Sequence, residues 1–365
     1  MKRRTFLQAS LGFALSTPLM AAVKQGELDA AADVLRQAAA SRQVHAASLY
    51  VRQGDEVFAR SFGEAKSVDD VFLLASISKP ISTAAVMTLY DDGAFGLDDQ
   101  VKKFIPEFTG DGRETISMRQ LLTHVSGLPD QLPENAKLRA AHAPLSAFVE
   151  AAAGTPLLFK PGSRYRYSSM AILLASEVAQ RISGAAFPTL VDKAVYQPLE
   201  MQHSAMGLGR LKLEALMRCQ VEQAAPESGA GDAAAKTWDW NSPYWRKLGA
   251  PWGGAHGSAP DVARFLAEFL QPSGKTLKGN TADLMIANHN RPGIRPRGLG
   301  FDIGAQAGSP GCSDKTFGHG GSTGTLCWAD PATDTICVVL TTLPARAANP
   351  HPRNAASDRV AQAVS

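Results

Sequence analysis

Cysteine is scarce in this chain: four in 365 residues (Cys219, Cys312, Cys327 and Cys337), none in a Cys-x-x-Cys pair. That spacing excludes a zinc ribbon, and the number is too small for a disulfide-built scaffold. Cys327 and Cys337 flank a turn at Asp330-Pro331-Ala332-Thr333-Asp334 and could be bridged if the register brings them face to face. Two buried free thiols are the simpler expectation. The eight histidines form no His-Glu-x-x-His or other ligand spacing, so neither a metal nor a cofactor is expected. No apolar run reaches the about 18 residues that a spanning helix needs, and stable membrane insertion is not expected. Net charge is small as well, +3, and Lys2, Arg3 and Arg4 supply all of it. Without residues 1–22 the chain has no basic excess, which argues against nucleic acid as a partner.

What the N-terminus does have is a twin-arginine pattern, Lys2-Arg3-Arg4-Thr5-Phe6-Leu7, with a mostly apolar stretch to Leu15 and small residues Ala21 and Ala22 beyond it. Residues 1–22 are therefore expected to be an export signal, and the mature protein to be periplasmic or secreted. Beyond it, 28–40 reads as an alanine-rich helix and 46–52 with 56–61 as a β-hairpin around Gln53-Gly54-Asp55. A helix starts near Ser76, carries apolar residues at helical spacing to Tyr90 and stops at Asp91-Asp92-Gly93. Helical segments follow near 117–124, 145–153, 168–183 and 187–196. Residues 224–236 are small, polar and turn-rich, the composition of a mobile surface loop. After a helix from Asp261, strands are expected at 299–303, 325–329 and 335–342. Sheet segments from both ends of the chain must pair around the helices. The expected architecture is an α/β (α+β) subdomain built from 28–93 and 250–345, a mainly helical subdomain at 94–249, and a C-terminal tail at 346–365.

Ser76-Ile77-Ser78-Lys79 is the one Ser-x-x-Lys in the chain, and it stands where an apolar segment, Val71 to Ala75, enters a helix. Residues three apart on a helix share a face, so the Lys79 amine can reach the Ser76 hydroxyl. Lysine acts as a base only when burial or a neighbouring cation lowers its pKa, and the apolar approach supplies the burial. Tyr167-Ser168-Ser169 opens a later helix, which would project a phenol toward a cleft. Gly318-His319-Gly320-Gly321-Ser322-Thr323-Gly324-Thr325 enters a strand, and its glycines let backbone N–H groups approach a substrate oxygen.

Three such segments in this order resemble the serine beta-lactamase and penicillin-binding-protein superfamily, in particular its class C-like branch of esterases, D-peptidases and lactamases. Leu121-Leu122-Thr123-His124-Val125-Ser126-Gly127-Leu128-Pro129, Gly96-Leu97-Asp98-Asp99 and Gly253-Gly254-Ala255-His256-Gly257-Ser258 are similar to supporting segments of that family. The resemblance spans most of 28–345 and implies an antiparallel sheet flanked by helices. It implies an acyl-enzyme on Ser76, with Lys79 and Tyr167 relaying the proton and the backbone N–H groups of Ser76 and Ser322 forming the oxyanion hole. Which of Lys79 and Tyr167 is the base stays open. Ser169, His319, Gly320 and Gly321 would touch substrate. Two departures redirect the expected substrate. His319-Gly320-Gly321 stands where beta-lactamases carry Lys-Thr-Gly, and Ser169 where they usually have an Asn that contacts the substrate side chain. Both favour small ester or peptide-like substrates over beta-lactams.

Gly320-Gly321-Ser322-Thr323-Gly324 also fits Gly-x-Ser-x-Gly, which would make Ser322 the nucleophile of an α/β-hydrolase, but that elbow needs a helix directly after it and strands are expected here. A true beta-lactamase, a D-alanyl carboxypeptidase, or a non-catalytic peptidoglycan-binding sensor of the same fold are the other readings. The joint presence of Ser76, Lys79 and Tyr167 speaks against the last. Asn241, Tyr244 and Trp245, in the aromatic stretch from Trp238, are candidates for a substrate wall. His124 is expected to be structural, and Arg164, Arg166 and the Arg291 to Arg297 segment to be solvated charge.

Overall fold

The computed structural model describes residues 17–364, with side chains from residue 25 onward. Residues 1–16 of the expected export signal lie outside the described residues. In chain order the elements are α1 (Thr17–Ala40), β1 (Ala46–Gln53), β2 (Glu56–Gly63), β3 (Phe72–Leu73) and α2 (Ser78–Asp91), the last preceded by a 3-10 turn at Ala75–Ile77. The middle of the chain supplies α3 (Met118–Leu122), α4 (Asn135–Ala140), α5 (Leu145–Gly154), α6 (Ser169–Ser183), α7 (Phe187–Val191), β4 (Ala205–Met206) and α8 (Pro243–Leu248). Then come β5 (Ala255–Gly257), α9 (Ala259–Leu270), α10 (Gly279–Ile286), β6 (Asp302–Ile303), β7 (Phe317–Gly321), β8 (Thr325–Asp330), β9 (Thr335–Thr341) and α11 (Pro352–Val364).

The main sheet runs β2-β1-β9-β8-β7-β6 and every pairing in it is antiparallel. Strands from the two ends of the chain meet where β1 pairs with β9, Leu49 opposite Val339. All of β9 is buried, because helices cover both faces. On one face α1 and α11 pack over Leu49, Val51, Trp328, Cys337 and Val339. On the other, Cys327, Ile336, Val338 and Leu340 belong to the large core that includes the Val262, Phe265, Leu266 and Phe269 stripe of α9. That stripe has the i, i+3, i+4, i+7 spacing of an amphipathic helix. The stretch expected to be a C-terminal tail from 346 onward instead holds α11, Pro352–Val364, which closes the sheet. A second sheet, β3-β5-β4, lies at the approach to α2.

The same alternation decides the cysteines. Cys327 faces Val338 and Trp328 faces Cys337, so the two thiols point to opposite sides of the sheet and cannot be bridged. Burial pushes the Cys327 thiol up to about 12. Residues 224–236 are folded into short 3-10 turns with Ser228 and Ala235 buried, and the Asn135 amide donates to the Glu227 carbonyl at 3.3 Å. A turn-rich composition marked the absence of long elements there, not the absence of contacts.

Candidate active site

The Ser76 segment is built to expose one side chain. From Val71 to Met87 every residue is buried except Ser76. Ala75, just before it, has φ 47°, a left-handed backbone that costs a non-glycine residue about 1–3 kcal/mol. Neighbours hold this turn in place. The Thr323 hydroxyl donates to the Leu73 carbonyl at 2.7 Å and the Thr325 hydroxyl to the Leu74 carbonyl at 2.8 Å. β7 thereby lies directly against the nucleophile turn. At Gly321 a Cβ would stand 2.4 Å from the Leu74 carbonyl oxygen and 2.0 Å from the Thr325 hydroxyl, so only glycine allows the approach. The Ser322 backbone follows Gly321 directly in the chain, next to the strand end that packs on Leu74 and Ala75. Ser322 itself is exposed in the β7–β8 turn and leads into a strand, which removes the α/β-hydrolase reading.

Lys79 sits on the first turn of α2, fully buried, with Nζ 3.0 Å from Ser76 Oγ and 3.0 Å from the Trp252 carbonyl oxygen. Burial lowers its pKa to about 7; the Asp130 carboxylate pulls it back up and the Arg297 guanidinium pushes it further down. The Tyr167 ring stands over the same lysine, with the Lys79 nitrogen 4.6 Å from its centroid. Burial raises the Tyr167 phenol above its ordinary range. Burial thus favours the protonated phenol of Tyr167 and the neutral amine of Lys79.

His124 carries more than a helix end. It is fully buried, its Nδ1 accepts the Ser168 N–H at 3.2 Å, and its ring lies 4.7 Å from that of Tyr167. Ser168 in turn caps α6 by accepting the Ala171 N–H at 3.0 Å. Together these fix the direction in which Tyr167 leaves the helix.

The third segment differs from the sequence reading in one respect. His319 Nε2 is 3.0 Å from an Arg297 nitrogen, which can only donate, and Nδ1 is 2.7 Å from the Gly320 carbonyl, which can only accept. These partners assign the Nδ1–H neutral tautomer. Burial pushes the His319 pKa down to about 3, so the ring stays neutral. The buried cation beside it is Arg297, 0% exposed, paired with Asp302 and donating to the Gly300 carbonyl at 3.1 Å. The guanidinium carbon lies 5.7 Å from the Tyr167 ring centroid. Arg164, Arg166, Arg291 and Arg295 are exposed as expected, but Arg297 is not solvated charge. Nothing in the run Arg291-Pro292-Gly293-Ile294-Arg295-Pro296-Arg297 separates its last arginine from the others; the distinction is made by Asp302 and His319.

The remaining candidates are placed elsewhere. Ser169 is 2% exposed, and both its N–H (2.9 Å) and its hydroxyl (2.6 Å) donate to Asp130 Oδ1. Asn241 uses its amide on the Cys219 backbone, Tyr244 stacks on His142 and donates to the Ala143 carbonyl, and Trp245 is buried under the Arg139 guanidinium. None of these three is bonded to Ser76, Lys79 or Tyr167. Trp245 supports the site only through Trp252, whose ring it meets at 6.2 Å. Trp245 is core, whereas Asn241 and Tyr244 line cavities beside α8 with their polar atoms turned to the backbone of neighbouring loops.

This geometry has known counterparts. The family model described as Beta-lactamase matches residues 31–362. The chain belongs to the beta-lactamase family. As a member of it, with Lys79 against both Ser76 and the Tyr167 ring, it is a serine hydrolase. Among curated relatives, the family member esterase EstB of Burkholderia gladioli is 30% identical over 321 residues, covering 78% of this chain and 80% of its own. A putative D-alanyl-D-alanine carboxypeptidase of Escherichia coli (strain K12) is 24% identical, covering 81% and 77%. Among solved structures, EstCE1, a hydrolase with promiscuous acyltransferase activity, superposes with TM-score 0.74 at 22% identity, covering 95% of this chain and all of its own. EstA from Arthrobacter nitroguajacolicus Rue61a gives TM-score 0.73 at 20% identity, covering 93% and 96%.

Proposed function

We propose that the protein hydrolyses small carboxylic esters, or amides of similar size, in preference to beta-lactams. The observation that carries this is the 3.0 Å contact of Ser76 with a lysine whose pKa is brought to about 7. Ser76 Oγ attacks the carbonyl carbon as its proton passes to Lys79 Nζ. The oxyanion is held by the Ser76 and Ser322 N–H groups, each such donor being worth about 2.7–4 kcal/mol of barrier. Tyr167 gives its proton to the departing oxygen or nitrogen and is reprotonated from Lys79, so the acyl-enzyme forms with both groups restored. Water then attacks the acyl carbon, losing a proton along the same route in reverse, and frees Ser76.

Two features support an ester over a beta-lactam. The third segment offers a neutral His319 already engaged by Arg297, where a free lysine would grip a carboxylate. Ser169 is turned onto Asp130 and is not free to contact an acyl side chain. Measured side by side on p-nitrophenyl butyrate, nitrocefin and an acyl-D-alanyl-D-alanine peptide, kcat/KM should be highest for the ester. Turnover of nitrocefin faster than the ester would reverse this reading, and release of D-alanine as the fastest reaction would make the protein a carboxypeptidase.

Export to the periplasm is part of the same proposal and is supported by Arg3-Arg4 ahead of the apolar stretch. Changing both arginines to lysine should leave the protein in the cytoplasm; undiminished periplasmic yield would remove the twin-arginine route.

A further inference from the structure

Charge is unevenly spread around the nucleophile. On the β7 side His319 is neutral and Arg297 is neutralised by Asp302. Arg353 lies across the far side of β7, its guanidinium donating to the Gly321 carbonyl at 2.6 Å and the Thr325 carbonyl at 2.8 Å. Burial disfavours the charged form of Lys79 itself. The opposite side, at the start of α6, carries a carboxylate that makes no ion pair among the described residues.

That charge is Asp130, half-buried at the end of the Ser126-Gly127-Leu128-Pro129 turn. The turn is clamped to the Tyr167 segment from both sides: the Ser168 hydroxyl donates to the Pro129 carbonyl at 2.8 Å, and Ser169 gives Asp130 Oδ1 its two hydrogen bonds. Oδ1 is saturated. Oδ2 has no hydrogen-bond partner among the described residues and is not sealed from solvent. Ser169 is buried beneath Asp130, so the clamp holds a part-exposed carboxylate against the segment that carries Tyr167, two residues before Ser169. Its field reaches the reaction centre, where it is the largest charge acting on Lys79 and also acts on Tyr167. A carboxylate held by two hydrogen bonds, with one oxygen open and no counter-ion, favours a cation and disfavours an anion brought beside it.

Resting on the esterase reading above, we propose that Asp130 is a specificity-determining residue that selects substrates with an ammonium group close to the scissile carbonyl, as in esters or amides of amino acids with a free amine. Anionic acyl groups are discriminated against by the same charge. Ser169 acts as the positioning residue that holds the carboxylate in place.

The test uses three ethyl esters at pH 7 whose acyl groups differ in charge: alanine ethyl ester, ethyl propionate and monoethyl succinate, with acid release followed by chromatography. Asp130→Asn keeps an acceptor for Ser169 and removes the charge. In that variant the ratio of kcat/KM for the alanine ester to that for the propionate should fall about tenfold, and the succinate-to-propionate ratio should rise by a similar factor. Ser169→Ala, which keeps the carboxylate, should change both ratios less than threefold. Unchanged ratios in Asp130→Asn, or equal changes in the two variants, overturn the assignment of specificity to the Asp130 charge. Absence of Ser76-dependent hydrolysis of ethyl propionate by the wild type would overturn the esterase reading itself, which separates the two failures.

Discussion

Ser76→Ala is expected to lower kcat/KM for p-nitrophenyl butyrate by roughly 10⁴- to 10⁶-fold, the range seen when a nucleophile is removed and an oxyanion hole remains. The size of the effect follows from the site. Lys79 reaches Ser76 Oγ at 3.0 Å with the Tyr167 ring over the lysine, and Ser76 is the one residue between Val71 and Met87 that is not buried. Stability should change little, because the change removes a partly exposed hydroxyl and no core packing. Labelling with a fluorophosphonate gives a second readout: intact mass should show one adduct on the wild type and none on the variant. Wild-type and variant rates that agree would sink the mechanism, and a label found on Ser322 would restore the Gly-x-Ser-x-Gly reading.

Lys79→Met should cost about 10³-fold or more in kcat/KM, as expected for loss of a positioned general base. Here the structure predicts an unusual pairing of effects. The lysine is fully buried and its charged form is disfavoured by desolvation, so an apolar side chain of similar length suits the site. Against that, the Trp252 carbonyl loses its donor. The two effects offset, and Tm should stay within a few degrees of wild type while activity is lost. A large drop in Tm would mean that Lys79 holds the fold and not the reaction. The same group sets the pH dependence. Lys79 can accept the Ser76 proton only when neutral, and its pKa is lowered to about 7. The kcat/KM profile should therefore rise with unit slope through the acid range, bend near pH 7 and level above it. Tyr167, raised by burial, keeps its proton across that range and adds no second bend below pH 9. A profile flat from pH 5 to 8 would contradict the assignment of Lys79 as the base.

Much of the architecture could be read along the chain because its signals are local. The hairpin at 46–63 alternates around Gly54, α2 has its apolar spacing and its Asp91-Asp92-Gly93 stop, and α9 has a Ser258 cap and a four-residue apolar stripe. The last helix was missed because Ala355-Ala356-Ser357-Asp358 carries little apolar contrast; its small residues are what let it pack closely against α1. The Asn241 to Trp245 stretch misled for the opposite reason. Large aromatic side chains are equally suited to a cleft wall and to a core, and only the neighbours, Cys219, Ala143 and Arg139, show which.

The sequence by itself marked the candidate serine, lysine, phenol and glycine-rich strand, since the chemistry demands particular residue types and three of the four sit at element boundaries that sequence marks; it did not say which of Lys79 and Tyr167 is the base. The electrostatics of the site came only with tertiary structure. A lysine becomes a base at neutral pH through the burial imposed by Trp252 and the core, a histidine stays neutral because Arg297 occupies its nitrogen, and that arginine is buried only because Asp302 and β7 close over it. Charge state depends on what surrounds a group in three dimensions, and residues 79, 130, 297, 302 and 319 become neighbours only when the sheet is closed.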